Sequence, residues 1–335
     1  MEKKATQPKK KLSFKGLFGV LKDSFKGFGN DNVTKLSGSL AYYTVFSMGP
    51  LLVVIISLCG LFLGRDAVEG KVYGQLNSFV GHDTALQLQQ IIKNASISGK
   101  GKFAAIIGVI TLLLGATTVF GDIQDSINRI WGIKPKPKKG WLKMLRNRFL
   151  SFSIIASLGF LLLVSLGISA IIEALMNSFK AHYPDVAVVV VYIIDLALTL
   201  GVTTLIFAVI FKVLPDAKIK WKDVIAGAFA TSILFMLGKF GISFYIGKSN
   251  VGTTYGAAGS LVILLLWVYY SAIILYFGAE FTKAYAIAYG SAIHPNEYAV
   301  TTKQVEVETG KQTIQAKENT EHEVKVKPGI SSAKS

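Results

Sequence analysis

Apolar residues run almost unbroken through six stretches of this chain, at Leu40 to Leu63, Phe103 to Phe120, Phe149 to Ile172, Val186 to Phe211, Val224 to Ile246 and Ala258 to Phe281. Each approaches the roughly 20 residues that a helix needs to cross a hydrocarbon core of about 30 Å. Lipid offers no partner to an open backbone group, and the stretches lack the period-two alternation of a barrel strand. They therefore predict an all-α membrane protein, a bundle of six transmembrane helices. Only three of the stretches hold a charge, Asp195, Lys239 and Glu280. The first is too long for a signal-peptide core and too far from the start, so it is expected to stay in the mature protein.

The flanking segments have their own patterns. Phe14, Leu17, Phe18, Leu21, Phe25 and Phe28 recur at helical spacing with Lys11, Lys15, Lys22 and Lys26 between them. Such a helix either lies in the headgroup plane, its lysines drawn to the anionic leaflet, or lies against the ends of the bundle. Between the first two spans, residues 64–102 keep helical spacing at Val68, Val72, Leu76, Phe79 and Val80, and again at Leu88, Ile91 and Ile92. This predicts short amphipathic helices over the outer mouth, as a cap or a lid. Beyond Ser291 large apolar residues become scarce, and a disordered tail is expected. The predicted organisation is a basic arm at 1–32 with the interfacial helix, a membrane domain at 33–290 and a disordered tail at 291–335.

Charge supplies the orientation. Lys and Arg number 36 against 20 Asp and Glu. Nine lie in the arm, eight between the second and third spans, four between the fourth and fifth, and seven after the sixth, while the alternate loops hold five, one and one. Cytoplasmic loops carry this excess, so both termini are expected in the cytoplasm and the protein in the cell (inner) membrane. The same rule explains the basic arm, so membrane lipids of the anionic leaflet, and not nucleic acid, are its expected partners.

Catalytic chemistry leaves little trace. With 17% charged residues there is little room for an independent soluble enzyme domain. The lone Cys59 allows neither a disulfide framework nor a Cys-rich metal site. His82, His182, His294 and His322 are far apart and fall on both sides of the predicted topology. Gly247-Lys248-Ser249 lacks the upstream glycine spacing of a phosphate loop. No catalytic residue, metal or cofactor is expected, and the chain does not read as an enzyme.

Ionisable groups inside the bilayer are better candidates, since each costs about 2.5–3.5 kcal/mol on insertion scales. At 1.5 Å per residue, Asp195 and Lys239 lie roughly 14 and 11 Å below the outer surface. They are expected to approach each other, as a proton, ion or headgroup site or as a structural ion pair. Glu280 lies near the inner boundary, three residues before Lys283, where it is expected to reach water by snorkelling and to form a structural salt bridge. The first span sets Ser39, Tyr43 and Ser47 on one face and then meets Pro50, which removes a backbone hydrogen bond and kinks the helix. Polar, broken helices line transporter sites and also occur as packing features. Asp195, Lys239, Tyr43, Ser47 and Pro50 form the candidate translocation site. Gly227, Ala230, Gly238 and Gly241, with the small residues from Gly256 to Ser260, predict a tight hairpin of the fifth and sixth spans.

The segments Ser39 to Thr44, Gly49 to Leu52, Asp125 to Gly132 (DSINRIWG), Leu214-Pro215-Asp216 with Trp221, Tyr255 to Ala257, Leu266 to Tyr269 and Gly278-Ala279-Glu280 occur in order along the chain. Together they resemble the YihY/BrkB family of bacterial membrane proteins, over about Val33 to Ala288. The resemblance implies a six-span inner-membrane protein of unsettled molecular activity, linked in one branch to serum resistance and in others to envelope lipid export. An old ribonuclease BN label attached to the family has no support here. The motifs add a second candidate cluster, Asp122, Asp125, Asn128 and Arg129 with Glu280, which either closes an inner gate or anchors helix ends, while Trp131 suits the headgroup level. The leading expectation is a transporter or translocator of a small ion or amphipathic envelope molecule. The alternative is a non-transporting scaffold for envelope assembly, and a homo-oligomer or envelope-assembly partners stay open.

Overall fold

The computed structural model of the protein describes residues 13–47, 102–136, 184–248, 255 and 259–302. In chain order these form helix α1 (Phe14–Asn30), helix α2 (33–47), helix α3 (Lys102–Ile130), strand β1 (Ile133–Pro135), helix α4 (Pro184–Val213), strand β2 (Ala217–Lys218), helix α5 (Trp221–Lys248), helix α6 (Gly259–Ala288), and strands β3 (His294–Pro295) and β4 (Ala299–Thr301). Among the described residues, Leu196–Val213, Trp221–Ile246 and Leu261–Ala288 are long and apolar enough to cross a membrane. They carry the fourth, fifth and sixth apolar runs. The second run lies on α3 and the first begins on α2. The third run, Pro50, the outer loop up to residue 101 and the tail from residue 303 lie outside the described residues.

Bare apolar faces mark these helices as lipid-exposed. On α5, Leu237, Phe240 and Phe244 are each more than 60% exposed. A water-soluble fold would have to cover such a row, whereas lipid tails accept it.

Helix α5 lies between α4 and α6. Its contact with α6 is built on two reciprocal pairs. Gly227 faces the side chain of Thr282, and Gly278 faces that of Thr231, so closely that a Cβ on either glycine would collide with the opposing threonine. Both threonines are fully buried, and each returns its hydroxyl to its own helix, Thr231 to the Gly227 carbonyl and Thr282 to the Gly278 carbonyl, at 2.7 Å in both cases. With the hydroxyls satisfied internally, the backbones can approach as small residues allow in lipid. The expected tight hairpin is therefore present, although Gly241 meets nothing within 4 Å and takes no part.

The main apolar core sits at the end of the bundle where α3, α4 and α6 finish. Val33 and Leu40 of α2, Ile127 and Ile130 of α3, Phe207 and Phe211 of α4, Val224 and Ala228 of α5, and Ala272 and Tyr276 of α6 meet there. Gly132, with φ 66°, lets α3 stop. The left-handed conformation costs a residue with a Cβ about 1 kcal/mol or more, which accounts for the glycine that closes the DSINRIWG motif.

Two expectations need correction here. The described fold is not purely helical, because β1 pairs antiparallel with β4, and β2 with β3. Strands of two or three residues leave no periodic signal. For the same reason the chain is not disordered from Ser291 onward. Residues 291–302 fold back across this end, where Lys136 N–H donates to the Tyr298 carbonyl at 2.7 Å and Asn296 N–H to the Asp216 carbonyl at 2.9 Å. These ladder bonds and the burial of Ala299 offset the ordering entropy that composition alone suggested was prohibitive. The compact unit ends at Thr301, not near residue 290.

For α1, the structure realises the second of its two expected placements on one face. Gly16 meets Tyr289, Gly27 meets Glu280, and the Phe25 ring lies 4.8 Å from that of Phe277, so α1 runs antiparallel along the last turns of α6. On the opposite stripe Phe14 and Phe18 stay exposed, and Phe25 is still 65% exposed beside Phe277. The turn into α2 passes through Asn32 at φ 53°, a conformation that asparagine tolerates.

Candidate functional site

Three helices bring buried polar groups together beneath the core. Ser39 of α2 donates to Asp122 Oδ1 of α3 at 2.8 Å. The second carboxylate oxygen of Asp122 is buried and makes no hydrogen bond among the described residues. Burial raises the Asp122 pKa above the ordinary carboxylate value, the Ser39 hydrogen bond opposes the shift, and the nearby charge of Asp125 adds to it. Facing Asp122 and Ser126 is Tyr276 of α6, fully buried, whose hydroxyl lies within reach of both but makes no well-formed hydrogen bond among the described residues.

One turn further along the same face of α6 lies Glu280. It is only 2% exposed, so the expected snorkelling to water does not occur. The physical reason is α1, whose Gly27 sits directly over the Glu280 carboxyl and leaves no room for a side chain. The expected Glu280–Lys283 ion pair is present at 3.4 Å, and Lys283 also reaches Asp31, in the corner between α1 and α2, at 3.4 Å. Glu280 Oε1 remains buried without a hydrogen bond among the described residues. Tyr276, Glu280 and Lys283 thus form a polar track down one face of α6, met by Asp122 at one end and Asp31 at the other.

The rest of the cluster expected from the motifs divides. Asn128, 1% exposed, turns away from Glu280 to Asp216 in the α4–α5 connection. It donates to Asp216 Oδ2 at 3.0 Å, and its own Oδ1 accepts from the Asp216 backbone N–H at 2.8 Å. The Tyr298 hydroxyl adds a bond to Asp216 Oδ1 at 3.0 Å. Asp216 thereby ties α3, the α4–α5 connection and the returning C-terminal segment together. Leu214-Pro215-Asp216 stands out in the sequence as a motif, but no role for Asp216 was legible in it. Asp125 and Arg129 are exposed, one turn apart on α3. Trp131 does not present its ring to headgroups: it is buried and donates from Nε1 to the Ala279 carbonyl at 3.0 Å.

Among the translocation-site candidates, the polar face of the first span points to α3. Ser39 binds Asp122, while Ser47, whose hydroxyl donates to the Tyr43 carbonyl at 2.7 Å, lies against Gly115. Tyr43 is partly exposed and stacks edge-on with Tyr42 at 5.6 Å. Lys239 is half-buried on α5, and Asp195 lies on the neighbouring helix α4. The side chain of Asp195 is outside the described residues, as is Pro50.

Known sequences resemble this chain over most of its length. The chain matches the model of the Virulence factor BrkB family over residues 24–299. It belongs to that family. Among its relatives is a UPF0761 membrane protein of Pseudoalteromonas atlantica, 27% identical over 258 residues, covering 75% of this chain and 81% of the relative. One from Alteromonas mediterranea is 26% identical, covering 79% of this chain and 86% of its own. Another, from Haemophilus influenzae, is 26% identical and covers 78% and 93%. No solved structure matches the chain. This BrkB-family protein is thus an integral membrane protein, and the matched region takes in Asp31, Asp122, Asn128, Asp216, Tyr276 and Glu280.

Proposed function

We propose that this BrkB-family protein moves a small ion or an amphipathic envelope molecule across the bilayer or between its leaflets, with an inner gate where α2, α3 and α6 meet. The observation that carries the reading is a cluster of buried polar atoms that make no well-formed hydrogen bond among the described residues, Asp122 Oδ2, Tyr276 Oη and Glu280 Oε1. A buried polar group left unpaired costs about 1–3 kcal/mol. Groups of this kind in a membrane bundle are ordinarily met by water, an ion or a substrate group. The track from Asp122 through Tyr276 to Lys283 is a place where such a guest would exchange protein hydrogen bonds one turn at a time. The distribution of Lys and Arg supports assigning this end to the cytoplasm and the protein to the cell membrane. The reading requires no cofactor and no covalent chemistry.

Tyr276→Phe tests it sharply. The change removes a hydroxyl that makes no well-formed hydrogen bond among the described residues, so the thermal midpoint should stay near that of the wild type. Purified protein in liposomes, assayed for headgroup-labelled lipid translocation and for proton or sodium flux, should lose about tenfold in rate, the equivalent of one hydrogen bond to the guest. Asp122→Asn and Glu280→Gln should also slow transport. Unchanged flux in folded Tyr276→Phe removes the gate from this site. No movement of either kind by folded wild-type protein overturns the transport reading in favour of a non-transporting scaffold.

A further inference from the structure

The outer face of α5 carries a second feature, independent of the transport reading. Trp221, Ile225, Phe229 and Ile233 follow one another at four-residue intervals, and each is 40–50% exposed. Phe240 and Leu237 continue the row, both more than 60% exposed. At 1.5 Å per residue, the path from Ile225 to Leu237 is about 18 Å, close to the depth of one leaflet's hydrocarbon.

The row begins among lysines. Lys222 lies seven residues before Phe229, two helical turns away on the same face, and it is exposed. Lys220 and Lys218 are exposed in the connection just before the helix. Lys218 is 3.7 Å from Glu297, but both side chains are largely in solvent, at 63% and 92%, so this pair holds Lys218 weakly. The one acidic group in the first turn of α5, Asp223, is turned inward, where it accepts from the Ser291 N–H at 3.0 Å. Trp221 is fixed from its other side by Lys212, whose Nζ lies 5.6 Å from the ring centre and donates to the Ile219 carbonyl. A half-exposed tryptophan at the start of a spanning helix is suited to the headgroup level.

We infer that this corner binds an anionic phospholipid, with its phosphate at Lys218, Lys220 and Lys222 beside Trp221 and an acyl chain along Ile225, Phe229 and Ile233. Charge complementarity selects the headgroup, and the length of the apolar row selects a lipid over a soluble phosphate. Lysine serves here as a point charge and needs no bidentate geometry.

Native mass spectrometry of the full chain in neutral detergent tests the inference, with added phosphatidylglycerol, phosphatidylcholine or glycerol phosphate. Phosphatidylglycerol should bind about fivefold more weakly for each of Lys218, Lys220 and Lys222 changed to Gln. Phosphatidylcholine retention should not change, and Phe229→Ser should weaken phosphatidylglycerol with the lysines intact. Equal phosphatidylglycerol binding by wild type and the folded triple variant overturns the site. Glycerol phosphate binding as tight as phosphatidylglycerol overturns the lipid assignment. Should the triple variant fail to fold, brominated phosphatidylglycerol on otherwise native protein decides. Its quenching should be smaller in Trp221→Phe than in wild type, and quenching equal in the two overturns the site.

Discussion

Replacing Gly278 with leucine is expected to cost about 3 kcal/mol or more, the upper range for overpacking, and to leave little folded protein after detergent extraction. The position offers no slack. A Cβ alone would strike the side chain of Thr231, whose Cγ2 would be 2.6 Å away and whose own Cβ 2.9 Å away. Thr231 cannot swing clear, because it is fully buried and its hydroxyl is bound to the Gly227 carbonyl at 2.7 Å. Relief would require moving α5 from α6, which would also open the Gly227–Thr282 contact on the next turn. Gly278→Ala should therefore be destabilising too, unlike the usual gain when alanine replaces glycine inside a helix. The cause can be checked in the partner. Thr231→Ala removes Oγ1 and Cγ2, the two atoms nearest the new Cβ, so the double variant Gly278→Ala/Thr231→Ala should recover part of the thermal midpoint lost by Gly278→Ala. Independent, additive losses would show that the close approach is not what limits the hairpin.

How much of this was legible in the sequence depends on the range of each interaction. Membrane helices were legible because their signal is local and about 20 residues long, and the α5–α6 hairpin because small residues announce close approach. Glu280 was misjudged for a reason that lies elsewhere in the chain. Its depth near a boundary was readable, but the glycine that covers it, Gly27, belongs to α1, 253 positions away in sequence by the numbering of the two residues. Trp131 likewise looked interfacial until the Ala279 carbonyl on α6 took its N–H. Serines on the first span were visible as a face, yet the partner of that face, Asp122, could not be chosen over Asp195 or Lys239 without the packing of α2 on α3. Residues 291–302 looked disordered because composition counts only what a segment can bury alone. Their order comes from backbone pairing with two loops that precede them by many residues.

Asn128→Asp should be the second severe change, at roughly 2–4 kcal/mol, because it sets a new carboxylate against a buried one. Asn128 makes two bonds with Asp216, as donor through Nδ2 and as acceptor through Oδ1. In the variant the accepting bond survives and the donating one becomes an oxygen facing the oxygen of Asp216, which is only 3% exposed. The strain should spread along the network to Tyr298, the third member, and loosen the returning segment. Limited proteolysis between Ser291 and Thr301 should then quicken well before the bundle melts, a local opening distinct from global unfolding. Exchanging the partners distinguishes this account from general damage to the helix end. With Asp216→Asn added, the new side-chain amide in the α4–α5 connection can donate to the new carboxylate on α3. The backbone N–H of that connection still finds a carboxylate oxygen, and Tyr298 still finds an acceptor. The double variant should regain both thermal midpoint and protease resistance. If it instead melts at or below Asn128→Asp alone, the pairing between α3 and the α4–α5 connection does not hold this end together.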